Sequence, residues 1–266
     1  MEGREKIVNE FYAQYVEDTR LDRSRRGQME YFTTMHYIHQ YLKPGMKVVE
    51  IGAGTGRLSL DLAKEGYDVT AVEYTDANFE KLQKNAESFN NVTTIQGDAV
   101  NLHQLEDSTY DVTLLFGPMY HLYSEEDQLA ALKEASRITK PDGKVFIAFI
   151  SVYAIMYANY FYGNWAEGQK EIFTDDYQVR HFKEQVFTGY DVTEFEQLFT
   201  EKPVEWITTA GVDGLIEPIE KRADFDLSDD DFKAFATWYL TFAEKRELLG
   251  GTNHLLYICR KTCLSC

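Results

Sequence analysis

The sequence is short of cysteine, short of positive charge, and without any long apolar run. Three cysteines are too few, and odd in number, for a disulfide framework, which suits a reducing compartment. All three, Cys259, Cys263 and Cys266, fall in the closing stretch "CRKTCLSC". Their C-x3-C-x2-C spacing can hold an iron–sulfur cluster. Placed in a C-terminal tail, they are read instead as free, oxidisable thiols. No stretch of about 18 uninterrupted apolar residues exists, so no membrane span is expected. The opening "MEGREKIVNE" has neither an apolar core nor a cleavage site, so a signal peptide is not expected and a cytoplasmic protein is.

Lysine and arginine number 27 against 44 aspartates and glutamates, a formal charge of -17. Nucleic-acid binding rests on cations neutralising phosphates, so no DNA partner is expected. Between residues 167 and 231 there are 18 acids and 6 bases, and 6 - 18 = -12 of the total. That stretch reads as a solvated acidic surface. A sharper alternative is a cap that attracts a cationic substrate.

What is present is a change of rhythm. Residues 5–18 and 24–42 have helical spacing, the second through Met29, Phe32, Met35, Ile38 and Leu42. His36 and His39 are helical neighbours, but no carboxylate or cysteine stands at ligand spacing, so packing is expected and no metal. From Met46 onward apolar, β-rich runs alternate with helical stretches. "MKVVEI", "YDVTAVEY", "NVTTIQGD", "YDVTLLFG" and "GKVFIAFIS" read as strands, with helices between them. Asp76, Ser124 and Ser228 are the expected helix caps. "KPVEWITTAG" and "NHLLYICR" supply two more strands, and the helix from Ser228 is expected to run to Gly250–Gly251. Largely apolar strands alternating with helices imply a parallel sheet covered on both faces. One domain is expected: a helical arm (1–42), a core (43–151), an insertion (152–195) and a C-terminal part (196–261).

One loop carries chemistry. "VVEIGAGTGRLSL" joins a strand to a helix through Gly52, Ala53, Gly54, Thr55 and Gly56. A redox dinucleotide loop wants G-x-G-x-x-G. Here the third glycine comes one place early and Arg57 fills its slot. Glu50 stands two residues before the first glycine. A pyrophosphate would be repelled by that acid, whereas a cationic amino-acid ligand tolerates it.

With these residues the sequence resembles the class I S-adenosylmethionine-dependent methyltransferases. The likeness covers 46–151 well and the last two strands loosely. The resemblance implies a doubly wound, Rossmann-like α/β sheet of seven strands, mostly parallel with the last antiparallel. It implies that "VVEIGAGTG" is the cofactor loop, contributing Glu50, Gly52, Ala53, Gly54 and Gly56. It places Glu73, in "AVEYT", on the ribose hydroxyls, with Tyr74 against the adenine face. It places Asp98 and Ala99, in "IQGDA", on the adenine edge. "ITKPDGKVFIAFI" resembles the family's turn into the fifth strand, with Asp142 in place of a glycine.

The loop after the fourth strand, "LLFGPMYHLYSEED", borders the transferred methyl in this family. Phe116 and Gly117 would flank the cofactor, and Tyr120 and His121 would project near the reaction. The "GPxYHL" pattern resembles that of bacterial small-molecule methyltransferases of the type 11 and type 25 kind. His121 is the candidate general base, because its ordinary pKa lies near operating pH. The alternative is that it hydrogen-bonds a backbone carbonyl and shapes the loop. Tyr120 would orient the acceptor.

The expected activity is therefore methyl transfer from S-adenosylmethionine to oxygen, nitrogen or sulfur of a small molecule, by a monomer or homodimer. The N/D-P-P-Y/F signature that clamps a flipped base is absent. Alternatives are a protein or RNA substrate, or a non-catalytic S-adenosylmethionine-binding protein. Aromatics are dense in the arm (Phe11, Tyr12, Tyr15) and the insertion (Tyr153, Tyr157, Tyr160, Phe161, Tyr162, Trp165), and would wall a flat ring or an amine cation. Those at helical spacing, Tyr153, Tyr157 and Phe161, would instead pack the insertion on the core. Arg180 and His181 are candidate anion contacts.

Overall fold

A computed structural model describes residues 2–161, 163–200 and 202–262. Seven strands form one sheet: β1 (Lys47–Ile51), β2 (Asp68–Glu73), β3 (Val92–Gln96), β4 (Tyr110–Leu115), β5 (Thr139–Ile150), β6 (Val204–Gly211) and β7 (His254–Lys261). Their order is β3-β2-β1-β4-β5-β7-β6. The first five are parallel, and β7 runs antiparallel to both β5 and β6. The central strands β1 and β4 are apolar and buried on both faces, as a parallel sheet between helical layers requires.

Neighbouring residues of β1 divide the core. Val48 packs with Met29, Ile38, Leu58 and Leu62 on one face, whereas Val49 packs with Ala131, Ala135 and Ile138 on the other. The arm supplies α1 (Glu2–Gln14) and α2 (Arg25–His39). Ser24 caps α2 by accepting from Gly27 N. His36 and His39 do not share a ligand: His39 pairs with Glu65, and His36 with Gln40. Helices α3 (Arg57–Lys64), α4 (Asp76–Ala86) and α5 (Glu125–Ile138) cover the parallel half. Ser124 caps α5 as expected, its side chain accepting from Asp127 N.

Asp76 does not cap α4. It is the first helical residue, and the cap position belongs to Thr75, whose hydroxyl is spent on Glu73. Asn9 of the arm accepts from Asp76 N instead. Asp142 adopts φ +62°, the left-handed conformation that a glycine would take in that turn.

The insertion holds α6 (Val152–Tyr160) and α7 (Trp165–Ile172), then an irregular run to the capping box that starts α8 (Val192–Gln197). Tyr153, Tyr157, Phe161 and Trp165 are exposed; the last three lie against one another and Tyr153 donates to Asp191, so the helical-spacing set does not pack on the core as expected. Tyr162 lies outside the described residues.

After β6 come α9 (Ile216–Glu220), α10 (Asp229–Phe242) and α11 (Arg246–Leu249). Ser228 caps α10, but the helix ends at Phe242 rather than at Gly250, and Lys245 restarts it as α11. Cys259 is not in a free tail. It sits inside β7, 1% exposed, and burial pushes its thiol up to about 12, which leaves it inert. Cys263 and Cys266 lie outside the described residues.

Candidate active site

The parallel strands deliver their loops to one edge of the sheet, and a cavity of about 640 Å³ opens there. At one end it is lined by Glu50, Gly52, Ala53, Gly54, Glu73, Tyr74, Asp98, Ala99, Phe116 and Gly117. These are the sequence-predicted cofactor residues except Gly56, which does not line it. Gly56 starts α3 with φ +95°, and a Cβ there would sit 2.7 Å from Leu82 Cδ1. Its early position in the loop is thus a packing requirement between α3 and α4. Gly52 is more constrained still. Its N–H and that of Ala53 donate to Val72 O, and a Cβ at Gly52 would meet the Phe116 carbonyl oxygen at 1.9 Å.

Two carboxylates sit behind this loop. Glu73 is 5% exposed. Its Oε2 accepts from Gly54 N at 2.8 Å, and its Oε1 from Thr75 N at 2.9 Å and Thr75 Oγ1 at 2.7 Å. Burial raises its pKa, and those hydrogen bonds restrain the rise. The carboxylate is thereby held in one orientation, with lone-pair capacity left on Oε2. Glu50, 2% exposed, accepts from Ser59 Oγ at 2.5 Å and is also held by the Ser59 backbone. Burial pushes it up to about 8, so near neutral pH much of it carries a proton.

The arm crosses this half. Arg4 forms an ion pair with Asp98, and its guanidinium lies 5.3 Å from the Tyr74 ring centroid. Glu17 packs on Gly54, within 3.3 Å of where a Cβ would be. Nothing in the glycine motif announces either contact, because the arm is distant in sequence.

The other end of the cavity is aromatic and charged. Phe11, Tyr12, Tyr15, Tyr120, His121 and Phe187 form a box, with the Phe11–Phe187 and His121–Phe187 centroids both 5.1 Å apart. Both His121 nitrogens are engaged: Nδ1 with Val186 O at 2.7 Å, and Nε2 with the Tyr12 hydroxyl at 3.1 Å. Burial pulls its pKa down to about 4. A neutral imidazole donating to one partner and accepting from the other has no free nitrogen for an acceptor. It ties arm, loop and insertion together instead. Tyr120 differs. Among the described residues nothing hydrogen-bonds its hydroxyl, which would lie 3.7 Å from a Cβ on Gly117.

Charged groups missed by sequence reading close this end: Arg20, Arg26, Glu30, Glu217 and His254. Arg20 pairs with Glu17 at 2.7 Å and Glu30 at 2.6 Å, and Arg26 with Glu217 at 2.8 Å. Among the described residues nothing hydrogen-bonds Glu217 Oε2, which is buried. Glu30, Asp213 and His254 bring one ligand atom each within 4.8 Å of one another, but Arg20 already neutralises Glu30. Arg180 and His181, the candidate anion contacts, do not line this cavity. Arg180 donates to Lys170 O, and His181 lies between Thr188 and Glu194.

A nucleotide-type loop, an acid at the next strand end and a pocket beyond the fourth strand define the class of Rossmann-like cofactor-binding proteins. Comparisons narrow this. Residues 48–143 match a family described as a methyltransferase domain. A demethylmenaquinone methyltransferase of Staphylococcus aureus is 34% identical over 129 residues, which cover 45% of this chain and 52% of that protein. The chain thus spans about half the length of the curated relatives it matches.

Among solved structures, the fold resembles a Thermotoga maritima S-adenosylmethionine-dependent methyltransferase, described as a possible histamine N-methyltransferase. The TM-score is 0.61 at 17% identity, covering 97% of this chain and 100% of that one. It also resembles a Pyrococcus horikoshii protein, with TM-score 0.60 at 20% identity over 95% and 99% of the two chains. Residues 48–143 thus match a methyltransferase domain, and the fold as a whole is the one that these solved structures share.

Proposed function

We propose that this chain transfers a methyl group from S-adenosylmethionine to an oxygen, nitrogen or sulfur atom of a small polar molecule. The observation that carries the reading is the continuity of one cavity. It runs from the glycine loop and Glu73, past Gly117, into an aromatic and charged chamber. The donor supplies a methyl carbon already activated by its sulfonium. Glu73 and the backbone of Gly52–Gly54 would hold it, with Tyr74, Asp98 and Ala99 at its adenine end and Glu50 toward its amino group.

The chain's own task is alignment and exclusion of water. The arm and the insertion both line the cavity, so they enclose an acceptor on the sides that the sheet does not. Tyr120, with an unspent hydroxyl, orients the acceptor. Arg20, Arg26, Glu30 and Glu217 favour a polar acceptor over a wholly apolar one. The Staphylococcus aureus relatives are named for a quinone substrate. The polar chamber supports a small-molecule acceptor here without pointing to a quinone.

The experiment is calorimetric titration with S-adenosylhomocysteine, with NADH in parallel. Micromolar binding of the first and none of the second is expected, and the reverse would overturn the reading. Label from methyl-labelled donor appearing on protein or RNA in a lysate, rather than on a small molecule, would replace the acceptor class.

A further inference from the structure

His254 opens β7, paired with Ile150 of β5, on the sheet edge that also carries the loop after β4. It lines the cavity, and its ring centroid is 6.4 Å from that of Tyr120. Its Nδ1 lies 2.7 Å from Asp213 Oδ2. Asp213 is fully buried and cannot turn away. Its Oδ1 accepts from Thr252 Oγ1 at 2.7 Å, Asn253 N at 2.9 Å and His254 N at 3.1 Å. A carboxylate so fixed accepts the Nδ1 proton, which leaves the lone pair of the neutral ring on Nε2. Among the described residues nothing hydrogen-bonds Nε2. This is the inverse of His121, whose two nitrogens are both spent.

The groups facing His254 come from several elements. Glu30 of α2 lies 3.6 Å from Nδ1, and Arg20, before α2, pairs with Glu30. Arg26 also acts on Glu30 and Asp213, and Tyr120 faces the ring from the loop after β4. Burial alone would lower the imidazole's pKa, but Glu30 and Asp213 outweigh it and raise the pKa. The ring is thus a stronger base than an ordinary histidine.

We propose that His254, oriented by Asp213, takes the proton of the methyl acceptor, and that the acceptor's nucleophile is a hydroxyl or an N–H. This rests on the methyltransferase reading above. The acceptor's O–H or N–H bond breaks and its proton passes to Nε2. The electron pair left behind forms the new bond to the methyl carbon. The carbon–sulfur bond breaks, and its pair stays on sulfur as a neutral thioether. The proton then leaves Nε2 to water. Tyr120 supplies the hydroxyl that holds the acceptor beside Nε2.

The test begins with calorimetry using S-adenosylhomocysteine on the wild type, His254→Asn and Asp213→Asn. Wild-type failure to bind sinks the methyltransferase reading, whatever His254 does. Equal binding by all three proteins is expected, since neither residue is assigned to the cofactor. The second measurement needs no acceptor: carbethoxylation by diethyl pyrocarbonate, mapped by peptide mass. His254 should be modified and His121 spared, with the His254 rate rising with pH through a value above the ordinary histidine pKa of about 6.5. Asp213→Asn, which keeps the shape but removes the acceptor of the Nδ1 proton, should shift that profile downward. An unmodified His254 overturns the proposal.

The third is a panel of phenols and amines assayed for S-adenosylhomocysteine release. On any acceptor turned over, His254→Asn should lower kcat about 100-fold or more and abolish the acidic limb of the pH profile, with KM for the donor unchanged. A kcat within about threefold of wild type, with the limb intact, overturns it.

Discussion

The two ends of the cavity are built in opposite ways. The glycine-loop end, proposed above as the cofactor end, is made of short loops at consecutive strand ends, Glu50–Gly54, Glu73–Thr75 and Asp98–Ala99, and its geometry is set by backbone. Gly54 N and Thr75 N fix Glu73, and Val72 O fixes Gly52 and Ala53. The aromatic and charged end, proposed above as the acceptor end, is assembled from the arm, the loop after β4, the insertion, the turn after β6 and the first residue of β7. Its geometry is set by side-chain pairs such as Arg20–Glu30 and Asp213–His254. A backbone-built site is rigid and intolerant of small changes. A side-chain-built site can be recomposed one pair at a time, which is how one fold serves many acceptors.

The sharpest way to break the first end is Gly52→Ala. A methyl group 1.9 Å from the Phe116 carbonyl oxygen, at φ +86°, forces β1 and β4 apart. We expect about 3 kcal/mol or more of lost stability in urea unfolding. A loss below about 1 kcal/mol would show that the loop yields, and the claim of rigidity would go. Glu73→Ala is expected to act on binding, with about 1–3 kcal/mol lost in calorimetry with S-adenosylhomocysteine. Unchanged affinity would remove Glu73 from the ribose.

How much of each end was legible follows from the same contrast. That Gly52, Gly54, Glu73 and Asp98 would gather at one cavity was legible because they sit in consecutive segments whose strand-turn-helix setting is local. Ser124 and Ser228 were legible as caps for the same reason. Asp76 was misread because Thr75, the true cap residue, turns its hydroxyl to Glu73, a tertiary demand that propensity does not contain. Gly56 was misread because the motif marks a glycine without saying whether ligand or Leu82 requires it. His254 went unremarked because its partner Asp213 is 41 residues away and only the β6–β7 pairing brings them together. Its dyad had no pattern of its own to read.

Protonation sharpens the comparison next. Burial pushes Glu50 up to about 8 at the cofactor end. At the acceptor end burial would also raise Glu30, but Arg20 and His254 overcome it and hold Glu30 at about 2. The raised group stabilises the fold fully below about 4.5 and loses that contribution as pH climbs through about 8. The lowered group stabilises above about 4.5 and loses its contribution as pH falls toward about 2. Wild-type stability should therefore fall in two separate windows. Glu50→Gln should flatten the alkaline one and Glu30→Gln the acidic one, read by urea unfolding across pH. Near pH 7 a cationic amino group arriving at Glu50 should also expel its proton. Binding of S-adenosylhomocysteine should then release up to about one proton, measured by calorimetry in buffers of different ionisation enthalpy. Proton release that persists in Glu50→Gln would assign it elsewhere.

The smallest expected effect lies where the two ends meet. Arg4 belongs to the arm, yet it sits on Asp98 and over Tyr74, the groups assigned to adenine. If adenine is to reach the Asp98 carboxylate, this ion pair has to open. Arg4 is 7% exposed and its partner 25%, so the pair is worth more than a surface bridge but is open to water on one side. Arg4→Ala should then tighten S-adenosylhomocysteine binding by about 1 kcal/mol, roughly fivefold. Weaker binding in the variant would mean that the guanidinium moves onto the adenine ring as a cation–π partner. The arm would then be part of the cofactor site, and the line between a backbone-built end and a side-chain-built end would have to be redrawn through Tyr74.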